Sequence, residues 1–119
     1  MSPKRGDEVP QPRVGEEWEI RFDASEAVQG WKELVNAAPN NARWAWEIMR
    51  SAPGPGPGRP HSRHQQLKGP LCTGMHKGEE LPQWQIEVTG GGRVIYLLDV
   101  KRRTVWIKYA GVGHPKFTE

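Results

Sequence analysis

The sequence predicts an α+β domain of two layers: an N-terminal strand, a helical hairpin, and then a sheet of about four antiparallel strands. Three observations carry this reading. Residues 18–22 alternate between apolar and charged side chains. Residues 25–50 place apolar side chains three and four apart. Residues 84–109 hold three β-rich runs separated by turn-forming residues.

In the first segment Trp18, Ile20 and Phe22 alternate with Glu17, Glu19 and Arg21, the period of a half-buried strand ending at Asp23. Ser25 is then the expected N-cap of a helix, with Glu26 near its positive end. Val28, Trp31, Leu34, Val35 and Ala38 share one helical face, and Gly30 costs that helix about 1 kcal/mol relative to alanine. Pro39 interrupts it, and Asn40 or Asn41 is the expected cap of a second helix with the stripe Ala42, Ala45, Trp46 and Met49. So short a break implies an antiparallel hairpin lying on the sheet, with Trp31 and Trp46 in the core.

Prolines and glycines alternate over residues 52–60, which can supply neither helix nor ladder and are expected to form an exposed connector. A basic loop follows and leads into a strand near Leu67. Gly69-Pro70 and Gly78 interrupt the next segment, so the strand there is expected to be short or bulged. The strand centred on Trp84 begins at Leu81-Pro82. After Gly90-Gly91-Gly92 comes Arg93-Val94-Ile95-Tyr96-Leu97-Leu98, and after Lys101-Arg102-Arg103 comes Thr104-Val105-Trp106-Ile107-Lys108-Tyr109. By alternation Arg93, Ile95 and Leu97 share one face of the middle strand, and Val94, Tyr96 and Leu98 the other. Glycine before Arg93 serves a turn with φ > 0 or a close approach.

At 119 residues the length fits one domain. Residues 1–15 have almost no large apolar side chain and are expected to be a disordered arm ahead of a domain over 16–119. No run approaches the roughly 18 apolar residues of a membrane helix, and no signal-peptide pattern opens the chain. A single cysteine, Cys72, excludes an internal disulfide. The expectation is a soluble cytoplasmic protein. Residues 1–58 hold seven Lys and Arg against nine Asp and Glu, a net of −2, whereas residues 59–119 hold ten against five, a net of +5, together with all four histidines. A basic half points to a polyanionic partner or to an ordinary solvated surface. The candidate nucleic-acid contacts are Arg59, Arg63, Lys68, Lys77, Arg103 and Lys108.

Arg93 at a strand start is either a rim residue or a site residue whose planar fork holds two phosphate oxygens. His114, between Gly113 and Pro115, titrates near neutrality and can give or take a proton, and Lys116 adds charge beside it. His61, His64, Cys72 and His76 are four zinc-type ligands, but their spacing is unfamiliar and their setting Gly/Pro-rich; no metal or cofactor is expected.

The ordered set Leu67-Lys68-Gly69, Trp84-Gln85-Ile86-Glu87-Val88, Gly92-Arg93-Val94-Ile95-Tyr96 and Gly113-His114-Pro115-Lys116 resembles the RelE/ParE toxin superfamily of toxin–antitoxin systems. The resemblance spans about residues 18–116 and implies a strand, a helical hairpin and a curved antiparallel sheet. For RelE-like members it implies metal-independent cleavage of messenger RNA in the ribosomal A site, with the RNA 2′-hydroxyl attacking the neighbouring phosphate. Arg93 then matches the arginine that stabilises phosphate charge. His114 matches a C-terminal histidine acting as general acid, as in YoeB-like members, and Lys116 is a further electrostatic candidate. The chain departs from the pattern at Gln85 and Glu87, where RelE proper carries lysines, and at Gln65 and Gln66, near the general-base glutamate of YoeB. His64 and Glu87 are the two candidates for the base; Glu87 could equally pair with Arg93. The resemblance implies a cognate antitoxin, the ribosome and messenger RNA as partners. Two other functions remain open: a ParE-like inhibitor of DNA gyrase, and a basic nucleic-acid- or partner-binding module without activity.

Overall fold

The computed structural model describes residues 4–55 and 62–113. β1 is Glu19–Phe22, α1 is Ser25–Ala37 and α2 is Pro39–Ser51. Then come β2 (His64–Gln66), a 3-10 turn at Gly69–Cys72, β3 (Thr73–His76), β4 (Glu79–Glu87), β5 (Arg93–Asp99) and β6 (Thr104–Gly111). The α+β class and the order strand, helical hairpin, sheet agree with the sequence reading. The sheet is larger than expected, with six strands in place of the N-terminal strand and about four others. It is also mixed: it runs β1-β6-β5-β4-β2, and β1 lies parallel to β6, with Glu19 opposite Thr104 and Phe22 opposite Ile107. Alternation in residues 18–22 specifies a half-buried strand but carries no information about its neighbour.

The extra strand arises around Lys77-Gly78. Both have positive φ (48° and 83°), which suits a two-residue hairpin turn that reverses the chain between β3 and β4. β2 and β3 lie end to end along one edge of β4. His64 pairs with Ile86 and Thr73 with Pro82, and the residues between them bulge out. Gln83 Nε2 donates to Leu71 O (2.8 Å) and Gln66 Nε2 to Cys72 O (2.9 Å), which holds the bulge in place. The Trp84 strand therefore starts at Glu79, earlier than Leu81.

Both helices cover one face. Leu34, Ala45 and Met49 meet Ile86, Val88, Val94, Tyr96, Leu98, Val105 and Ile107 there. Every residue of β5 is buried, including Ile95 and Leu97 on the opposite face. That face is covered by the β3–β4 hairpin: a Cβ placed on Gly74 would stand 2.8 Å from Leu97 Cδ2, and His76 stacks on Trp106 with ring centroids 4.2 Å apart.

The helix ends differ from the expected caps. Ala24 is the N-cap of α1 and makes no side-chain capping bond, so Ser25 is already helical. Pro39 begins α2 at its first turn, where its missing N–H costs nothing, with Ala38 as the N-cap. Asn41 does not cap; its Nδ2 donates to Val88 O (2.8 Å) and ties α2 to the end of β4. The buried stripe of α1 is Ala27, Gly30 and Leu34, while Val35 stays 38% exposed. Gly30 is the reason. A Cβ there would overlap the Ala110 carbonyl oxygen and stand 2.6 Å from its carbon. The bare glycine lets α1 sit directly on the β6 backbone. No helix among the described residues is long and apolar enough to cross a membrane.

Candidate functional site

Arg93 opens β5, opposite Glu87 on β4 and Gly111 on β6. Its Nη1 donates to Thr89 O (3.0 Å), Gly92 O (3.0 Å) and Gly90 O (3.3 Å), and its Nη2 lies 3.6 Å from Glu87 Oε2. The guanidinium is thus a buried cation that gathers the carbonyls of the β4–β5 turn. The triple glycine serves this turn through space rather than through φ: none of Gly90, Gly91 and Gly92 has positive φ. At Gly92 a Cβ would stand 2.7 Å from Thr89 Oγ1 and 2.8 Å from Leu34 Cδ2.

The structure brings Arg93 and Glu87 together and separates His64 from both. By strand alternation His64 faces the helical layer. Its Nε2 is 2.7 Å from Tyr96 Oη and 3.2 Å from Pro53 O, and its ring leans on Trp84 at 5.2 Å. The Tyr96 hydroxyl donates to Pro53 O, and burial pushes its pKa well above the usual tyrosine range. Tyr96 is a packing and tethering residue. It anchors Pro53, where the Pro/Gly-rich stretch leaves α2.

Several basic residues picked out by sequence already have work within the fold. Arg63 donates to Glu87 O (Nε, 3.0 Å) and Val88 O (Nη2, 2.6 Å) and lies over Trp44 at 4.9 Å. Arg103 donates to Glu16 O (2.6 Å) and lies over Trp18 at 4.8 Å. Lys108 is the extra residue of a β6 bulge between the pairs Ile95–Tyr109 and Tyr96–Ile107, and its Nζ is 3.3 Å from Gln83 Oε1. Lys68 and Lys77 are exposed. His114, Lys116, Arg59 and His61 lie outside the described residues. At the last described residue, Tyr109 Oη donates to Gly113 O. Burial, then the Glu33 charge, raises the pKa of that hydroxyl, so it remains a donor.

One polar cluster had no signal in the sequence. His76 Nδ1 is 2.6 Å from Asp23 Oδ1, a contact across 53 positions, and the His76 ring stacks on Trp106. Trp106 Nε1 donates to Asp99 Oδ2 (3.2 Å), Asp99 accepts from the Arg102 backbone N–H and Nη1 (both 3.1 Å), and Arg102 Nη2 donates to Glu79 Oε1 (2.8 Å). The cluster latches the β3–β4 hairpin onto the sheet at both sides of its turn. Among the described residues no three His, Cys, Asp or Glu side chains converge on a metal-sized site.

No protein-family model, curated protein or solved structure matches this chain.

The latch has a pH signature. Burial of Asp99 raises its carboxyl pKa, but the hydrogen bonds from Trp106 and Arg102 outweigh burial and hold it below the usual range. A folded pKa below the unfolded value of about 3.9 gives stability that is present above that pH and lost as pH falls through the folded value. Asp99→Asn removes the titration. The variant is expected to be less stable than the unchanged protein at pH 7 and to lose less stability between about pH 4 and 2, as read by urea unfolding at stepped pH.

Proposed function

We propose that this protein is the toxin of a type II toxin–antitoxin system, a ribosome-dependent endoribonuclease that inhibits translation without a metal. The observation that carries the reading is the pairing of Arg93 with Gly111 at the end of β6. In the sequence, Val112 and Gly113 follow that strand, and then come His114, a proton donor, and Lys116, a second cation. The helical hairpin on one face of an antiparallel meander supports the same resemblance.

In this reading the RNA 2′-oxygen attacks the adjacent phosphorus while its proton passes to a carboxylate. The 5′-oxygen leaves with a proton from His114, and the product is a cyclic phosphate. Glu87 is the better base of the two candidates, because it stands beside Arg93 with its side chain 37% exposed, whereas His64 faces the helices. Arg93 and Lys116 offset the charge that builds on the phosphate oxygens. A cognate antitoxin, the ribosome and messenger RNA are the partners, and the cytoplasm is the site of action. A non-catalytic binding module is the second reading. It is favoured by the engagement of Arg93 Nη1 with three turn carbonyls.

The test is His114→Ala combined with Lys116→Ala, at matched expression in cells lacking an antitoxin. Loss of a general acid is expected to slow codon-linked cleavage of a translated reporter by at least ~100-fold and to relieve growth arrest. Unchanged cleavage would rule out this mechanism. RNA affinity that falls with salt, with no cleavage on ribosomes by the unchanged protein, would establish the binding module instead.

A further inference from the structure

The outer side of the helical hairpin carries a groove of about 450 Å³, walled by α1, α2 and the N-terminal arm. Trp31, Val35, Ala42 and Trp46 form its apolar lining. Trp46, expected in the core, stands outside it, with the guanidinium groups of Arg43 and Arg50 each 5.4 Å from its ring centroid. The arm enters as Glu8-Val9-Pro10-Gln11. It is held there by Arg50, whose Nη2 donates to Gln11 O at 2.7 Å. Yet Val9 is 93% exposed, so the arm touches the groove without burying the apolar side chain next to its proline.

We propose that this groove docks an extended, proline-containing peptide of a partner protein, and that the chain's own Val9-Pro10-Gln11-Pro12 is a loosely fitting, displaceable occupant. The chemistry of the lining selects such a ligand. Proline arrives with φ already fixed and loses little entropy on docking, and its ring lies well against flat indoles. An extended backbone presents carbonyls outward, and Arg50 already reads one of them. Glu8 shares the groove with Arg43, so the favoured peptide carries an acidic residue ahead of an apolar–proline pair. A side chain larger than Val9, turned inward, fills the volume the arm leaves open. An arginine-flanked tryptophan is also a platform for a nucleobase. A peptide already in place, with its Gln11 carbonyl accepting from Arg50, favours the peptide.

Tethering sets the affinity scale. A short flexible linkage gives the arm an effective concentration of about 1 mM, so an external peptide competes poorly with an intact arm. The probe is a fluorescein-labelled peptide with the sequence of residues 8–13 carrying Val9→Leu, followed by fluorescence polarisation with the full-length chain. Full-length protein carrying Pro10→Gly and Pro12→Gly is expected to bind it about tenfold more tightly than the unchanged chain. In that background Val35→Asp, at a position exposed enough to be tolerated, is expected to weaken binding at least tenfold, and Trp46→Ala likewise. Equal affinity with and without the arm substitutions, or indifference to Val35→Asp, would overturn the proposal. So would an oligouridine that binds in a Trp46-dependent way where the peptide does not, and that result would assign the groove to nucleic acid.

Discussion

Gly30→Ala is expected to destabilise the protein by about 3 kcal/mol, a fall in Tm on the order of 10–20 °C for a domain of this size. Helix propensity alone predicts the opposite sign, because alanine in a helix interior is favoured over glycine by about 1 kcal/mol. The decisive contact is with the sheet. A methyl group at this position would overlap the Ala110 carbonyl oxygen and stand 2.6 Å from the carbonyl carbon. Backbone on β6 cannot swing aside as a flexible side chain could. α1 would have to lift, loosening Leu34 and Ala27 from the core they share with Val94 and Ile107. Thermal unfolding followed by circular dichroism decides between the two signs. A Tm equal to or above that of the unchanged protein would show that α1 does not sit on β6 as described.

Arg93→Ala is expected to cost about 2–4 kcal/mol, measured by urea unfolding. Hydrogen bonds from a charged donor contribute about 1.5–3 kcal/mol each, and here one nitrogen serves three carbonyls of a single turn. Removing the side chain admits water to those carbonyls, which limits the loss below the simple sum. The ion pair with Glu87 adds little, because at 3.6 Å with a carboxylate 37% exposed it is largely screened. A double-mutant cycle with Glu87→Gln should accordingly return a coupling below about 1 kcal/mol. Arg93→Lys keeps the charge but not the fork, and should fall between the two. An Arg93→Ala protein as stable as the unchanged chain would mean that the turn does not depend on the guanidinium. The same variant is expected to abolish growth arrest under the proposed function. That loss could follow from instability alone, which is why the His114→Ala and Lys116→Ala pair is the cleaner probe of chemistry.

The two helices, the β5–β6 hairpin and the start of β1 were legible because each is written in local periodicity. Spacings of three and four over residues 25–50 and period two over residues 18–22 depend only on near neighbours in the chain. The division of β5 into two faces followed from alternation as well, and Val94, Tyr96 and Leu98 do meet the helices. Where the reading departed from the structure, the missing partner was distant. The expected cap of the second helix went astray because Asn41 spends its amide on Val88, 47 positions away. The additional strand was obscured by glycines that read as interruptions, although Gly78 makes the turn and Gly74 makes room for Leu97.

The candidate site divides along the same line. Residue type and strand position were enough to single out Arg93 as a fork-shaped cation at the start of a buried strand, and to place Glu87 as its possible partner. Pairing across the sheet then joined those two and put His64 on the other face with Tyr96. It also created the Asp23–His76–Trp106 latch from segments with no common motif. Periodicity and turn chemistry are set by bonds and sterics between adjacent residues, so they survive in a linear string. Which strand lies beside which, and which charge meets which carbonyl, is settled when distant segments are desolvated against one another. A buried guanidinium must find acceptors wherever the packed chain supplies them, and in this protein the β4–β5 turn beside Arg93 supplied them.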